Sequence, residues 1–145
     1  MSVLFFWTGD NYLADIKAGK AYHLNQNNEL IRSLKSRDHI WAFTRRLDKI
    51  YVLAADLVVT QTQDNPHGYK YGQYRAFADT LSSRYFDVNV GPDVEPIIKS
   101  LSFYPKKTAA KALGQLFQGK NAVRPLSGID EQKLVAFSSG LPALP

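Results

Sequence analysis

Aromatic and basic residues are interleaved along much of this chain. Aromatic rings stack on nucleobases, and arginine side chains neutralise phosphates or stack on the same bases. Residues of a strand alternate between two faces, so about half of the rings are expected to face a core instead. Trp7 and Trp41 are the strongest functional candidates, because each lies at or near the end of an apolar run beside polar residues. The interleaved set comprises Trp7, Tyr12, Tyr22, Arg37, Trp41, Arg45, Arg46, Tyr69, Lys70, Tyr71, Tyr74, Arg75, Arg84, Tyr85 and Phe86.

Patterns typical of catalysis or metal binding are weak. His23, His39 and His67 lie far apart, and none has a partner at the spacing of a metal-binding motif. The sequence has no phosphate-binding loop, no zinc-protease helix motif and no serine-hydrolase elbow. It also contains no cysteine, which excludes a disulfide scaffold, a Cys-rich zinc site and thiol catalysis. We therefore expect no catalytic residue, no metal and no cofactor, and we expect that this domain is not an enzyme.

One acidic residue stands out by its position. Asp56 interrupts a long apolar run from Ile50 to Thr60, and a carboxylate buried in a strand needs a partner. Arg84 or Arg75 is the expected partner. A structural ion pair is favoured over a catalytic role for this carboxylate.

Chain length, net charge and the lengths of the apolar segments indicate the class of protein. The chain has 145 residues and a net charge of +5, which suits one domain that attracts a polyanion such as DNA or RNA. The apolar run at Val3–Trp7 is too short for a signal peptide, and no segment is long enough to span a membrane. A cytoplasmic location without membrane contact is expected, while the oligomeric state stays open.

The local patterns place strands in the first part of the chain and helices in the second. Helical spacing begins after Pro92, at 94–101, 109–117 and 131–138, with Ser127 or Asp130 as a cap for the last helix. This order predicts an α+β domain rather than a doubly wound sheet. One domain is expected over 1–140, followed by a tail at 141–145. Strands are predicted at 3–7, 39–44, 50–60, 69–79 and 82–88, with a further short extended segment at 123–126.

Three segments carry a resemblance to a known superfamily. They are the first strand ending in Trp7, the segment Arg37–Thr44 and the segment Tyr51–Val59. Together they resemble the barrel core of PUA-like domains, and within that superfamily they look most like the EVE branch. The likeness covers residues 3–88. The turn before the second strand reads Ser36-Arg37-Asp38, where the family usually has glycine before the aspartate.

The resemblance implies a PUA-like mixed β pseudobarrel with short helices and a helical C-terminal part. It also implies binding of DNA or RNA, with a flipped or modified base held in an aromatic pocket with a basic rim. Asn11 and Asp38 are the candidates for hydrogen bonds to the base edge. The expected base pocket comprises Trp7, Asn11, Tyr12, Asp38, Trp41, Tyr71, Tyr85 and Phe86. The expected phosphate contacts are Arg45, Arg46, Arg75 and Arg84.

Two other functions stay open at this point. The first is a small hydrolase or nuclease similar to the ASCH group of PUA-like domains, acting on nucleosides or RNA. The second is a protein-interaction module whose aromatic surface meets a partner, for which a flat apolar patch would be the structural sign.

Overall fold

A seven-stranded mixed sheet organises the protein. The computed structural model describes residues 1–145, apart from the side chain of Lys120. The strands are β1 (Ser2–Phe6), β2 (His23–Gln26), β3 (His39–Arg45), β4 (Tyr51–Asp64), β5 (Tyr74–Ala78), β6 (Arg84–Tyr85) and β7 (Val123–Leu126). Their order is β2-β5-β4-β3-β1-β7, with β6 paired to β4. The pair β1–β3 is parallel, whereas the other ladders are antiparallel.

Helices lie both between the strands and at the end of the chain. They are α1 (Gly9–Ala18), α2 (Glu29–Ser33), α3 (Glu95–Lys99) and α4 (Gly128–Ser138). Two 3₁₀ turns, at Leu113–Phe117 and Gly119–Asn121, lie between α3 and β7. Ser127 caps α4, because its hydroxyl accepts a hydrogen bond from the Asp130 N–H while the Asp130 carboxylate accepts one from the Ser127 N–H. The protein is therefore a mixed α+β fold, as the sequence predicts. None of the described helices is long and apolar enough to cross a membrane.

The long strand β4 bends the sheet. Its first half pairs with β3, and its second half pairs with β5. The register shifts between Ala42 and Phe43 on β3 and between Val59 and Gln61 on β4, and such bulges increase the local bend and twist. The ends of the strand order, β2 and β7, are not joined by any ladder among the described residues. The sheet is therefore strongly bent and is not a closed barrel.

Both faces of the central strands are buried. Ile40 and Ala42 of β3 belong to a core with Tyr12 of α1 and Ile31 of α2, which we call the α1 face. The opposite side, which we call the α4 face, is covered by α3, α4 and the 3₁₀ turn. Its core contains Leu4, Trp41, Phe43, Ile98, Leu113, Phe117 and Leu134. Strands with two covered faces lose the polar alternation of a half-exposed sheet, which explains the continuous apolar run in β4.

Three of the predicted elements differ from the structure. The strand predicted at 82–88 is only the two-residue β6, Arg84–Tyr85, and the other two predictions fail for a common reason. Residues 109–117 form no α-helix, because Leu113, Gly114 and Phe117 are buried against the sheet as a 3₁₀ turn and the Gly114 N–H donates to the Tyr51 hydroxyl. The predicted strand 69–79 begins only at Tyr74, since residues 69–73 form a turn. Tertiary contacts therefore override the local preference in both segments.

Two further features concern the backbone at Arg37 and the last residues of the chain. Arg37 has a φ of 75°, in the left-handed region that glycine occupies most readily. The C-terminal residues do not hang free: the Leu144 N–H donates to the Tyr85 carbonyl, and the Asp87 N–H donates to the Pro142 carbonyl. The segment predicted as a tail thus extends along β6.

Candidate ligand-binding cleft

A cleft of about 630 Å³ opens beside the junction of β1 and α1. This volume lies within the range of roughly 300–1,000 Å³ that is usual for small-molecule sites. Its walls come from the end of β1, the first turns of α1, all four residues of β2, the β4–β5 loop and the Gln118–Ala122 segment. The lining residues are Phe5, Phe6, Trp7, Thr8, Asn11, Asp15, Ala21, His23, Leu24, Asn25, Gln26, Ala42, Leu57, Tyr69, Tyr71, Tyr85, Phe117, Gln118, Gly119 and Ala122.

The short connection after β1 brings α1 to the cleft. The Trp7 N–H donates to the Phe43 carbonyl at 2.8 Å, so the chain stays bound to the sheet beyond the end of β1. A side chain at Gly9 would place its Cβ 2.8 Å from the Arg45 carbonyl oxygen, so this close approach requires glycine. Helix α1 therefore starts directly beside Trp7. Asn11 and Asp15 lie one turn apart and line the same wall.

The inner wall holds its aromatic rings in fixed positions. The Trp7 side chain is 8% exposed, and its indole Nε1–H donates to the Asp15 carboxylate at 2.9 Å. The Tyr12 ring packs edge-on against Trp7 with centroids 5.1 Å apart, and the Tyr85 ring lies 6.3 Å from Trp7. The Tyr85 hydroxyl donates to the Ala21 carbonyl, while burial and the neighbouring Tyr22 raise the pKa of Tyr85. Tyr85 is therefore a neutral, oriented ring.

The outer wall presents a second pair of rings from the β4–β5 loop. Tyr69 and Tyr71 meet edge to face at 5.6 Å. Lys70 lies over the Tyr71 ring at 4.7 Å, and the Arg75 guanidinium lies over the Tyr69 ring at 5.4 Å. These two cations are next to the cleft without lining it. Tyr71 is 61% exposed, so its ring is available to a ligand from solvent.

Hydrogen bonds fix this loop against β2. Arg75 donates from Nε to the Asn25 side-chain oxygen at 2.8 Å and from Nη2 to the Tyr69 hydroxyl at 2.9 Å. Asn65 donates to the same Asn25 oxygen at 3.0 Å. At Gly72, φ is 140°, and a Cβ there would lie 2.7 Å from the backbone nitrogen of Gln26. The loop can pack this closely on β2 only with glycine at that position.

The polar lining favours hydrogen bonding to an uncharged or cationic group. Carboxamides of Asn11, Gln26 and Gln118 supply both donors and acceptors, whereas the Asn25 oxygen already accepts from Arg75 and Asn65. Apart from the tyrosines, the titratable side chains of the lining are Asp15 and His23. No lysine or arginine among the described residues lines the cleft. The described lining residues therefore offer no lysine or arginine as a counter-charge to an anionic group.

The structure brings together four of the eight residues expected in a base pocket. Trp7, Asn11, Tyr71 and Tyr85 line the cleft, and Tyr12 supports Trp7 from behind. The other three lie elsewhere. Asp38 accepts hydrogen bonds from the N-terminal ammonium and from the Lys35 N–H, both at 2.8 Å. Trp41 and Phe86 are buried in the core of the α4 face.

The four arginines expected to contact phosphate lie in different parts of the structure. Arg75 lies beside the cleft. Arg46 is occupied by the carbonyls of Val88, Asn89 and Gly91 and by the Asp48 carboxylate. Arg84 pairs with Asp56, and the Arg45 guanidinium lies over the Tyr51 ring at 5.4 Å. Three of the four thus make intramolecular contacts away from the cleft.

Several lining residues escaped the sequence analysis. Asp15 follows Asn11 by four positions, which would have indicated it once a helix at this place was accepted. His23, Asn25, Gln26 and Gln118 carry no pattern of their own, because β2 is a short strand whose place in the sheet depends on pairing with β5.

A second, smaller cleft lies on the other side of Tyr12. It measures about 300 Å³, and Gly9, Tyr12, Thr44, Arg46 and Asn89 are among its lining residues. The hydroxyls of Tyr12 and Thr44 are buried and have no hydrogen-bond partner. Burial and the charge of Asp87 raise the pKa of Tyr12.

A polar network lies on the opposite side of the sheet. Asp56 is 4% exposed and contacts both His39, at 2.6 Å from Nδ1, and Arg84, at 3.3 Å from Nη2. The structural ion pair expected for Asp56 is therefore present, with Arg84 as one partner. Among the described residues, no group of three possible metal ligands occurs.

Comparison with protein-family models finds no match, and no curated protein is similar enough in sequence to count as a relative.

Proposed function

We propose that this protein is a nucleic-acid-binding domain whose cleft receives an unstacked nucleobase. The observation that carries the proposal is the pairing of two aromatic walls, Trp7 with Tyr85 and Tyr69 with Tyr71, around a cleft that also presents carboxamides. A flipped base is held in the same way by stacking and by hydrogen bonds to its edge. Each stacking contact contributes about 1–3 kcal/mol.

The distribution of charge supports a base inside the cleft and phosphates outside it. Asp15 is the only carboxylate of the lining, and the described lining contains no lysine or arginine. Lys70 and Arg75 stand next to the outer wall. A nucleotide whose base enters the cleft would keep its phosphates near these two cations. The net charge of +5 favours the approach of the polyanion.

A PUA-like fold related to the EVE branch is part of the same proposal. A mixed sheet bent at two bulges agrees with the pseudobarrel that the sequence resemblance implies. The left-handed conformation of Arg37 agrees as well, because this is the position before Asp38 at which the family usually has glycine. The concave shape of the cleft favours a small ligand group over the flat patch expected of a protein-docking module.

A binding assay with salt variation tests the proposal. Fluorescence anisotropy with labelled single-stranded DNA and RNA between 50 and 200 mM salt should show binding that weakens as salt rises. Replacing Lys70 by alanine should reduce the slope of log K against log salt by about 0.7, the value of one phosphate contact on a single strand. Lys99→Ala is the matched control, because Lys99 pairs with Glu95 on the other side of the molecule.

Two results would contradict the proposal. One is the absence of binding to either nucleic acid at 50 mM salt. The other is an equal effect of the two lysine substitutions, which would show that the attraction comes from net charge alone. Preference for DNA or for RNA follows from the same titrations.

A further inference from the structure

The two aromatic walls of the cleft differ in what already covers their rings. On the outer wall, Lys70 lies over Tyr71 and Arg75 over Tyr69. On the inner wall, no described cation lies over Trp7 or Tyr85. The inner rings therefore keep the negative potential of their faces. Tryptophan is the ring that attracts a cation most strongly.

A carboxylate strengthens this negative potential at the inner wall. The Asp15 Oδ2 atom accepts the Trp7 Nε1–H hydrogen bond at 2.9 Å, so its charge lies at the edge of the indole ring. The indole stays neutral, and the hydrogen-bonded carboxylate polarises its ring so that the ring face becomes more negative. The second oxygen of Asp15 has no hydrogen bond to another side chain among the described residues, and Asp15 lines the cleft. A positively charged ring stacked on Trp7 would meet both effects at once.

Among the described lining residues, His23 alone can carry a positive charge, and it does so only when it is protonated. The described lining contains no lysine or arginine. Tyr85 stays protonated because burial raises its pKa, so it contributes a neutral ring. The inner end of the cleft is thus built from aromatic faces and one carboxylate, the chemical composition of cages that bind alkylated cations.

We infer that the cleft selects a nucleobase with a delocalised positive charge, such as a ring-N-alkylated base, over its neutral parent. The inference rests on the proposed function, since it concerns the base that enters the same cleft. Trp7 provides the stacking face and Asp15 the counter-charge. Asp15 is solvent-exposed, so its contribution weakens as salt rises.

Isomeric nucleosides separate charge from the presence of a methyl group. 1-Methyladenosine is cationic and N6-methyladenosine is neutral, yet the two have the same number of carbon atoms; 3-methylcytidine and 5-methylcytidine form a second such pair. Titration of the full chain by calorimetry at pH 7.5, above the reference pKa of histidine, should give about 10-fold tighter binding of the cationic member in each pair. Unmodified adenosine and cytidine should bind like the neutral isomers.

Asp15→Asn removes the charge and keeps an oxygen that can accept the Trp7 hydrogen bond. This variant should lose most of the preference for the cationic isomers, while its affinity for adenosine stays within about twofold. Asp10→Asn is the matched control, because Asp10 lies on the same helix without lining the cleft, and it should keep the preference.

The outcomes distinguish the inference from the function on which it rests. Equal binding of both isomers in each pair overturns the inference and leaves base binding intact. A preference that survives Asp15→Asn also overturns it, because the counter-charge would then play no part. Failure of every nucleoside and oligonucleotide to bind overturns the proposed function together with the inference. Binding of choline without binding of any base has the same result, since the cage would then serve a ligand of another class.

Discussion

The two tryptophans of this protein have similar surroundings in sequence and opposite places in the structure. Trp7 is 8% exposed; it belongs to the core of the α1 face and also lines the cleft, with its indole N–H on Asp15. Trp41 is 0% exposed and lies in the core of the α4 face, with its indole N–H on Glu131 at 3.1 Å. Each ring is therefore oriented by one carboxylate from a helix. The difference lies in what covers the ring.

The covering elements explain that difference. Over Trp41, α3, α4 and the 3₁₀ turn cover the α4 face, and Trp41 is fully buried. Beside Trp7, α1 stands at the edge of the sheet because Gly9 allows it to start close to the end of β3, and β2 with its loop forms the facing wall. The gap between these walls is the cleft. Both tryptophans are thus core residues with a carboxylate partner, and Trp7 in addition forms part of the cleft wall.

The largest expected effect comes from removing the buried ring. Trp41→Ala should lower the free energy of unfolding by about 3–5 kcal/mol, because it leaves a large cavity and an unpartnered Glu131. Trp7→Phe keeps an aromatic ring and should cost less than about 1.5 kcal/mol. Urea denaturation measures both. Equal losses in the two variants would contradict the deeper burial of Trp41.

A smaller loss is expected from the carboxylate beneath the α4 face. Asp56→Asn should lower the free energy of unfolding by about 2 kcal/mol, since the charged partners of Asp56 are partly exposed and regain water. Asp64→Asn is the control, because Asp64 pairs with Arg32 at the surface and its loss should cost less than about 1 kcal/mol. A loss below about 1 kcal/mol for Asp56→Asn would show that the contacts of Asp56 with His39 and Arg84 contribute little to stability.

On the cleft side, the effect should appear in binding rather than in stability. Tyr71→Ala should weaken base binding by about 1–2 kcal/mol, while the free energy of unfolding changes by less than about 0.5 kcal/mol. The ring is 61% exposed, so little core packing is lost. Tyr71→Phe retains the ring and should bind as the parent does. Loss of binding in both variants would assign the contact to the hydroxyl instead of to stacking.

The smallest effect is a dependence of stability on pH. The hydrogen bond to Asp56 raises the pKa of His39 above its reference value of 6.5, with burial acting against it and the charge of Glu131 adding to it. The stabilisation is then fully present below about pH 6.5 and is lost as the pH rises through the pKa of the folded state. Denaturation curves at pH 6 and at pH 9 should show this loss in the parent.

His39→Gln serves as the control for the pH effect. This variant should show a smaller fall in stability between the two pH values, because it has no imidazolium to stabilise. A fall as large as that of the parent would mean that another group causes the dependence.

The sequence predicts the sheet better than the cleft, and the reason is physical. Strands β3 and β4 carry long β-branched and aromatic runs, so their place in a covered sheet follows from hydrophobicity alone. Strand β2 and the turn at 69–73 have no such pattern, and their positions depend on pairing and on the close contact between Gly72 and Gln26. Residues 109–117 favour a helix by composition, yet burial of Gly114 against Tyr51 imposes a 3₁₀ turn.

The candidate site shows the same limit. An aromatic residue near a strand end is equally compatible with a core and with a pocket, and nothing local distinguishes Trp7 from Trp41. The register of β1 against β3 pairs Leu4 with Trp41, so these two side chains point to the same face of the sheet. Without that register, the sequence does not show that Trp7 and Trp41 lie on opposite faces. Arg46 and Arg84 likewise resemble phosphate contacts in sequence, and only the fold shows that carbonyls and Asp56 already occupy them.

The two indole N–H groups provide the most direct test of the account. In a ¹⁵N–¹H correlation spectrum, each tryptophan gives one indole signal, and a Trp7→Phe variant assigns them. During titration with a single-stranded oligonucleotide, the signal of Trp7 should move progressively while that of Trp41 stays in place. A stationary Trp7 signal at saturating oligonucleotide, or a movement confined to Trp41, would contradict the claim that the cleft beside β1 and α1 receives a base.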